Sequence, residues 1–530
     1  MIESKLIDPV LRQYRVVLAA TLTMILIFMS CSPILAAESA ESVDALQSRI
    51  KATSDRSMLA RLHKQLGDQY IAQDRISEAA KAYGHALEMD REQFSSAERV
   101  QMAVYLSWAD NLKQSERELR AVLAGEPKHL EARTHLARVL SWQDRLDEAI
   151  EEADNVLKEH PNNREASLVK ADALQWRGDY TEAIPIYRQL STDGNFDAGV
   201  GLSRSLLATG NRTASVETMN SLKAGNSRQE RELRRLRETV DQETRPSLDA
   251  RYNYHSDSDD NRLNRYSLSA NFSYGNQKLG MTFRHTDAED KTRDNRAEDL
   301  SFRLYTNPTD WLTLGGGLGF TQLRDGRTST FPTGHLRIDT RLFRGTAGAN
   351  VHREVLSDTA ELIENRIRMS DVGLYLSQPL TDRLSVYAGY NYKDFSDGNH
   401  ANDIQLASQY AIYLNPRINV GYRFRFLDFH EQSGSGFFDP SNYIANRVFT
   451  SVWLERDKYY TYVEGSFGYE TFRRNRVASD NFIYGGSGSI GYKPISRLAI
   501  EFNAEGGTFA AGSASGFNYF VIGPRVLFRF

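Results

Sequence analysis

Apolar and polar residues change their spacing once along this chain. Up to about residue 245 the apolar positions recur at helical intervals, and beyond it they alternate residue by residue. In "LDARYNYH", Leu248, Ala250, Tyr252 and Tyr254 share one face, and Asp249, Arg251, Asn253 and His255 share the other. "YSLSANFSY" (Tyr266–Tyr274), "LSVYAGYNYK" (Leu384–Lys393), "INVGYRFRF" (Ile418–Phe426) and "LAIEFNAEGG" (Leu498–Gly507) alternate in the same way. This period predicts strands over 248–255, 265–275, 277–286, 298–306, 310–322, 333–342, 344–352, 368–377, 383–393, 403–413, 418–428, 447–455, 459–470, 481–492, 497–507 and 517–529. The connections alternate too. Tight turns such as "NQ", "NPTD", "QPLTD", "NPR", "RDK" and "KPIS" follow the even strands. Longer loops follow the odd ones, the longest near 429–446.

The first half holds an internal repeat. "LSWAD" (Leu106–Asp110), "LSWQD" (Leu140–Asp144) and "LQWRG" (Leu174–Gly178) place Trp108, Trp142 and Trp176 34 residues apart. Pro127 recurs at Pro161, Ala137 at Ala171, Leu146 at Tyr180 and Ala149 at Ala183. An earlier copy holds Leu66, Gly67, Tyr70, Ala79, Tyr83 and Ala86. The period, the small-residue and aromatic framework and the closing proline fit the tetratricopeptide pattern of two antiparallel helices per unit. One helix pair cannot bury its apolar face alone, so the units stack into a superhelix. The three tryptophans then sit near the ends of first helices as packing residues. Stacking on a ligand is the other role open to them. Clear units span roughly 59–190, a shortened copy runs through "LLATGNRTA", and the highly charged "SRQERELRRLRETVDQETRP" reads as a capping or linking helix or a semi-flexible spacer.

Strands of this length, alternating from end to end and even in number, suit a transmembrane barrel rather than a soluble sandwich. Twenty of the 26 tyrosines lie beyond residue 245, where girdles at two membrane interfaces would use them. The fold class expected is therefore an α superhelix of tetratricopeptide repeats followed by a 16-stranded antiparallel transmembrane β-barrel. With an even strand count both barrel ends lie on one side, expected to be periplasmic, and the repeats with them. Ahead of both, Arg12 and Arg15 precede the apolar run "VVLAATLTMILIFMS", and Ala36 and Ala37 follow. That is the layout of a secretory signal cleaved near Ala37; a single membrane anchor is the alternative. The domains expected are a signal peptide 1–37, a periplasmic repeat domain 50–221, a charged helical linker 222–245 and an outer-membrane barrel 246–530.

The net charge of -4 and the lack of a long basic run give no reason to expect a nucleic-acid partner. The single cysteine, Cys31, lies in the leader, either removed with it or lipidated. The mature chain then has neither disulfide nor thiolate chemistry. No "HExxH", "GxSxG" or phosphate-binding loop is present, so neither an enzyme nor a cofactor is expected. Glu501 and Glu505 share a strand face, but they fit a hydrated wall as well as a reaction.

A barrel of about sixteen strands has room for an aqueous channel. Its polar face would carry His335, Arg337, Asp339 and Arg341 from one strand and Arg284, Arg303, Arg423, Arg425, Glu464, Glu470, Glu501 and Glu505 from others. These residues either keep the wall wet or guide and select a passing chain. Tyr387 and Tyr462 also fall on that face, able to stack on sugar rings or to mark an interface.

"LARVLSWQDRLDEAI" (136–150), "ADALQWRGDYTEAI" (171–184) and "GFFDPSNYIANRV" (436–448), with its Phe438–x–Pro440–x–x–Tyr443 spacing, carry a resemblance. The chain resembles the outer-membrane exporters of bacterial biofilm polysaccharides, of the cellulose-synthase outer-membrane subunit and poly-N-acetylglucosamine porin type. Its repeat region is short for that group. The resemblance implies an outer-membrane exit channel for a secreted exopolysaccharide. Its periplasmic repeats would dock polysaccharide-modifying or synthase-complex proteins or guide polymer, and its barrel would sit in outer-membrane lipid. Candidate polymer contacts, by inward position, are Arg284, Arg303, Arg337, Asp339, Arg341, Arg423, Arg425, Glu464, Glu501 and Glu505. The alternative is a structural porin or receptor whose repeats bind an envelope partner.

Overall fold

The computed structural model describes residues 41–381, 383–414, 416–474, 476–508 and 518–530. The expected leader and Cys31 lie outside the described residues, as do Asp382 and Asn415 of two of the expected turns. The described residues divide into two compact units, 41–205 with 222–230, and 206–221 with those from 231 onward.

The first unit is built of helix pairs. They are α1 Val43–Ala52, α2 Arg56–Ala72, α3 Ile76–Asp90, α4 Ser96–Trp108, α5 Leu112–Gly125, α6 Leu130–Trp142, α7 Leu146–Glu159, α8 Arg164–Arg177 and α9 Tyr180–Thr192, and α10 Phe196–Ala208 follows. The 34-residue period sets their ends. Ser95, His129 and Asn163 recur at that spacing, and each side chain accepts from the backbone N–H three residues on. Such caps satisfy donors that the first helical turn leaves over. Ser95 and Glu98 complete a reciprocal capping box. Asp110, Asp144 and Gly178, two residues after each tryptophan, take left-handed backbone (φ 65°, 69° and 97°) and turn the chain into the next helix. Small residues let neighbours approach. A Cβ on Gly67 would lie 2.4 Å from the Tyr83 ring, whose hydroxyl donates to Asp68 (2.9 Å).

In the second unit sixteen described strands close into one antiparallel barrel: β1 Ser247–Ser256, β2 Arg262–Tyr274, β3 Gln277–Glu289, β4 Asp294–Thr309, β5 Leu312–Arg324, β6 Thr328–Leu342, β7 Gly345–Val355, β8 Arg368–Pro379, β9 Leu384–Phe395, β10 His400–Leu414, β11 Arg417–Phe429, β12 Ser441–Arg456, β13 Tyr459–Arg474, β14 Val477–Ile495, β15 Leu498–Gly507 and β16 Tyr519–Arg529. β16 pairs with β1, so no edge is left. The alternation fixes the register. Leu268 faces Phe283 on the outside, and next to them Ser269 faces Thr282 on the inside, joined by a hydrogen bond (2.9 Å). The outer surface exposes Leu268, Phe272, Phe283, Phe302, Leu336, Leu374, Val463, Phe482 and Phe502, among many. A closed barrel, apolar outside and polar inside, is a membrane-spanning wall. No described helix is long and apolar enough to cross a membrane.

Both ends of the barrel sequence, Ser247 and Arg529, lie at one rim, called here the near rim. Two register shifts at this rim contain Pro308 and Pro494, which have no N–H for a ladder. Helix α11 Arg212–Ser221 and most of α12 Ser227–Thr244 group with the barrel. Arg212 donates to the Asn276 carbonyl (2.9 Å), and Glu243 pairs with Lys278 (2.8 Å). The charged segment expected as a linker over 222–245 is thus divided between the two units. Several strands also run further toward the far rim than their alternation suggested. β12 starts at Ser441, which shortens the 429–446 connection to residues 430–440. The longest fully described far-rim connection is 356–367. β13 and β14 are joined by only 475–476, so the expected loop asymmetry fails there.

Candidate functional site: the lumen of the barrel

Strand pairing puts the polar face of the second unit inside the barrel, and there its charges meet. Arg284 lies opposite Asp299 on the neighbouring strand and bonds it (2.8 Å). Arg303 donates to Thr282 (3.1 Å). Arg337 grips Asp339 (2.7 and 2.9 Å) and donates to the Tyr375 hydroxyl (2.6 Å), which itself donates to Asp339. Arg341 continues this face two residues on from Asp339, and its backbone N–H donates to the Trp311 carbonyl (2.7 Å). Arg423 reaches across β12 to make a bidentate pair with Glu464 on β13 (2.5 and 2.8 Å). Arg425 pairs the same way with buried Asp403 (3.0 and 2.9 Å), joined by Lys393 (3.1 Å). Glu501 accepts from Tyr460 (2.9 Å) and Glu505 from Tyr519 (2.6 Å). Tyr462 donates to Glu464 (2.7 Å). Arg284, Arg303, Arg337, Asp339, Arg423, Arg425, Glu464, Glu501 and Glu505 therefore make separate local contacts around the wall instead of one centre. Bidentate guanidinium–carboxylate geometry fixes the Arg423–Glu464 and Arg425–Asp403 pairs in place.

One pair closes the barrel itself. Arg525 on β16 bonds Asp249 on β1 (2.8 Å) and lies 3.7 Å from Glu501 on β15. Arg251 adds a second bond to Asp249 (2.8 Å). The first strand is thus tied to the last two by side chains as well as by the ladder.

At the far rim the wall changes character. The connection 356–367, which contains α13 Ala360–Asn365, and the connection 430–440 carry Leu356, Leu362, Ile363, Ile367, Phe437 and Phe438, all buried. Ala360 and Ile363 pack on Leu263, Ala288, Ala297 and Leu323, from β2 to β5. Leu362, Phe437 and Phe438 pack on Phe395, Leu427, Tyr443, Phe472 and Ile483, from β9 to β14. All of these wall residues stand in inward register, so the two loops lie inside the mouth and join its opposite walls. Phe437 stacks on Phe395 (4.7 Å, 11°), and Phe438 meets Phe472 edge-on (5.3 Å). Asn365 donates to the Ser435 carbonyl (3.0 Å) and links loop to loop. Arg366–Asp325 (2.6 Å), Arg293–Glu364 (2.5 Å) and Arg265–Asp358 (3.0 Å) pin the plug to the rim. This plug escaped the sequence reading. Its signal is "GFF" and "ELI", apolar clusters in segments that a wet loop would not bury.

In the helical unit Trp108 is buried and edge-on to Tyr105 (5.1 Å). Trp142 and Trp176 are half-buried and pack on the same core. Among the described residues no group of three or more His, Cys, Asp or Glu is arranged to hold a metal ion.

Comparison with known proteins agrees with the helical unit. Residues 106–173 match the tetratricopeptide repeat family. No curated protein matches the chain. Among solved structures, a bacterial polysaccharide outer membrane secretin is similar at 13% identity and a TM-score of 0.44, over 54% of this chain and 99% of that one. CdiB from Acinetobacter baumannii is similar at 11% identity and 0.36, over 54% of this chain and 60% of that one. A tetratricopeptide repeat protein from Parabacteroides merdae is similar at 16% identity and 0.33, over 38% of this chain and 78% of that one.

Proposed function

We propose that this chain is an outer-membrane conduit through which a secreted exopolysaccharide leaves the cell. The observation that carries the reading is the lumen. A closed sixteen-strand barrel is apolar outside, and its inner wall is lined with hydroxyls, amides and paired charges. Such a wall solvates a hydroxyl-rich chain without holding it by net charge. The near rim faces the periplasm in this reading, and the helical repeats dock proteins that make, trim or deliver the polymer. The role is transport rather than catalysis, with Asp249, Asp403, Glu464, Glu501 and Glu505 of the wall committed to arginine, lysine and tyrosine partners. The plug is then a resting closure at the cell surface that must shift before polymer passes. A second reading, a structural porin or surface receptor, draws on the same plug, because a permanently filled mouth suits recognition better than passage. Deleting the gene from its own cell separates them. Export predicts that surface polysaccharide falls and returns with the full-length chain. Unchanged secretion, with an altered envelope or altered phage adsorption, favours the second reading.

A further inference from the structure

One stretch of the inner wall, near the near rim, is built unlike the rest. On β12 and β13 Trp453 and Tyr462 stand directly opposite each other, and Tyr460 stacks beside Trp453 (5.7 Å, 27°). Tyr460 lies flat because its neighbour on β14 is Gly491, where a Cβ would come within 2.0 Å of the ring. Gly491 also lets the Tyr460 hydroxyl cross β14 to Glu501 on β15 (2.9 Å). Tyr462 is held by Glu464, and Glu464 by Arg423. The result is a shelf of aromatic faces with carboxylate and guanidinium groups along its edges. These rings are only partly buried, so their faces border the lumen. The Trp453 indole N–H is buried and has no acceptor among the described residues.

We infer that this shelf, Trp453, Tyr460 and Tyr462 edged by Glu464 and Glu501, is a binding site for a neutral glycan chain. The inference rests on the export reading and adds the substrate class. Flat rings take up the apolar C–H faces of pyranose units, and the fixed polar groups take their hydroxyls, the usual division of work in a ligand site. Charge decides the class. Lys493 is bound to Glu455 (2.6 Å), Arg423 to Glu464 (2.5 Å) and Arg525 to Asp249 (2.8 Å). An acidic polymer would therefore face Glu464 and Glu501 with these three cations already committed, and Arg417, opposite Trp453, and Arg447, opposite Arg423, are engaged as well. A cationic polymer would have to compete with the same short ion pairs. An uncharged one disturbs neither.

The test is calorimetric titration of the full-length protein in detergent with four hexasaccharides: cellohexaose and N-acetylchitohexaose (neutral), chitosan hexaose (cationic) and hexagalacturonate (anionic). A neutral hexasaccharide should bind most tightly. Trp453→Leu and Tyr462→Leu should each weaken it about tenfold, which is about 1.4 kcal/mol. Tyr462→Phe, which keeps the ring, should weaken it less. The heat-dependent gel shift of a folded barrel shows that each variant still closes. Tighter binding of a charged hexasaccharide, or neutral binding indifferent to both leucine variants, overturns the shelf and leaves export standing. Failure of every hexasaccharide to bind also overturns the shelf. Export itself is judged separately, by the secretion of the deletion strain.

Discussion

His135 shows how a single side chain ties this protein to pH. It sits on α6, almost fully buried. Burial, with help from the nearby Arg138 charge, pulls its pKa down to about 4, against the opposing pull of Glu165. Exposed Glu131, 3.8 Å away, is too distant for a short hydrogen bond. The folded protein thus keeps His135 neutral where the unfolded chain, with a pKa near 6.5, takes up a proton. Its contribution is complete above about pH 6.5 and is lost as the pH falls toward 4, at about 1.4 kcal/mol per pH unit. Thermal melts of the full chain followed by helical circular dichroism should show the helical transition dropping through that window. His135→Gln should flatten the drop. An unchanged slope in the variant would assign the pH dependence to other groups. At the barrel seam Arg525 joins β16 to both β1 and β15, and the pair is partly open to lumen water. Arg525→Gln should cost about 1.5–3 kcal/mol, the range for hydrogen bonds to charged groups. The folded barrel should then convert to the slow-migrating unfolded form at a lower temperature on gels. No change would mean that the backbone ladder alone holds the seam.

At the scale of elements, what the sequence revealed depended on how regular each element is. Alternation located every barrel strand because a one-residue slip would turn Leu268 or Phe283 into the lumen. The tryptophan period located the repeats because Asp110, Asp144 and Gly178 must all turn the chain at one point. The inward placement of Arg423 and Glu464 followed from the same alternation. Their bond across β12 did not, because barrel tilt and stagger decide which inward residues meet. The plug was illegible for a different reason. Loops have no period, and Phe437 finds Phe395 only after the barrel has closed around both. Its apolar packing makes it the element to break. Phe437→Ala with Phe438→Ala removes two large buried side chains from the seam between loop and wall, a change that costs about 3–5 kcal/mol per phenylalanine in a well-packed core. Added antibiotics of moderate size should enter cells carrying this variant faster than wild type, with the barrel still folded on gels. Equal uptake would show that the loops block nothing.

For the whole molecule, the two units supply different physics. The barrel provides a lipid-compatible exterior and a hydrated interior, and the repeats provide a stacked helical surface of the kind that binds protein partners. In the conduit reading the lumen conducts once its far mouth is open. The most direct measurement is single-channel current of the full-length protein in a planar bilayer, wild type beside the Phe437→Ala, Phe438→Ala variant. Wild type should show rare, brief openings and the variant long-lived large openings, reduced by a neutral hexasaccharide added on the near-rim side. A variant that stays as closed as wild type, with its barrel intact, would contradict the conduit and leave the protein a closed structural or receptor barrel.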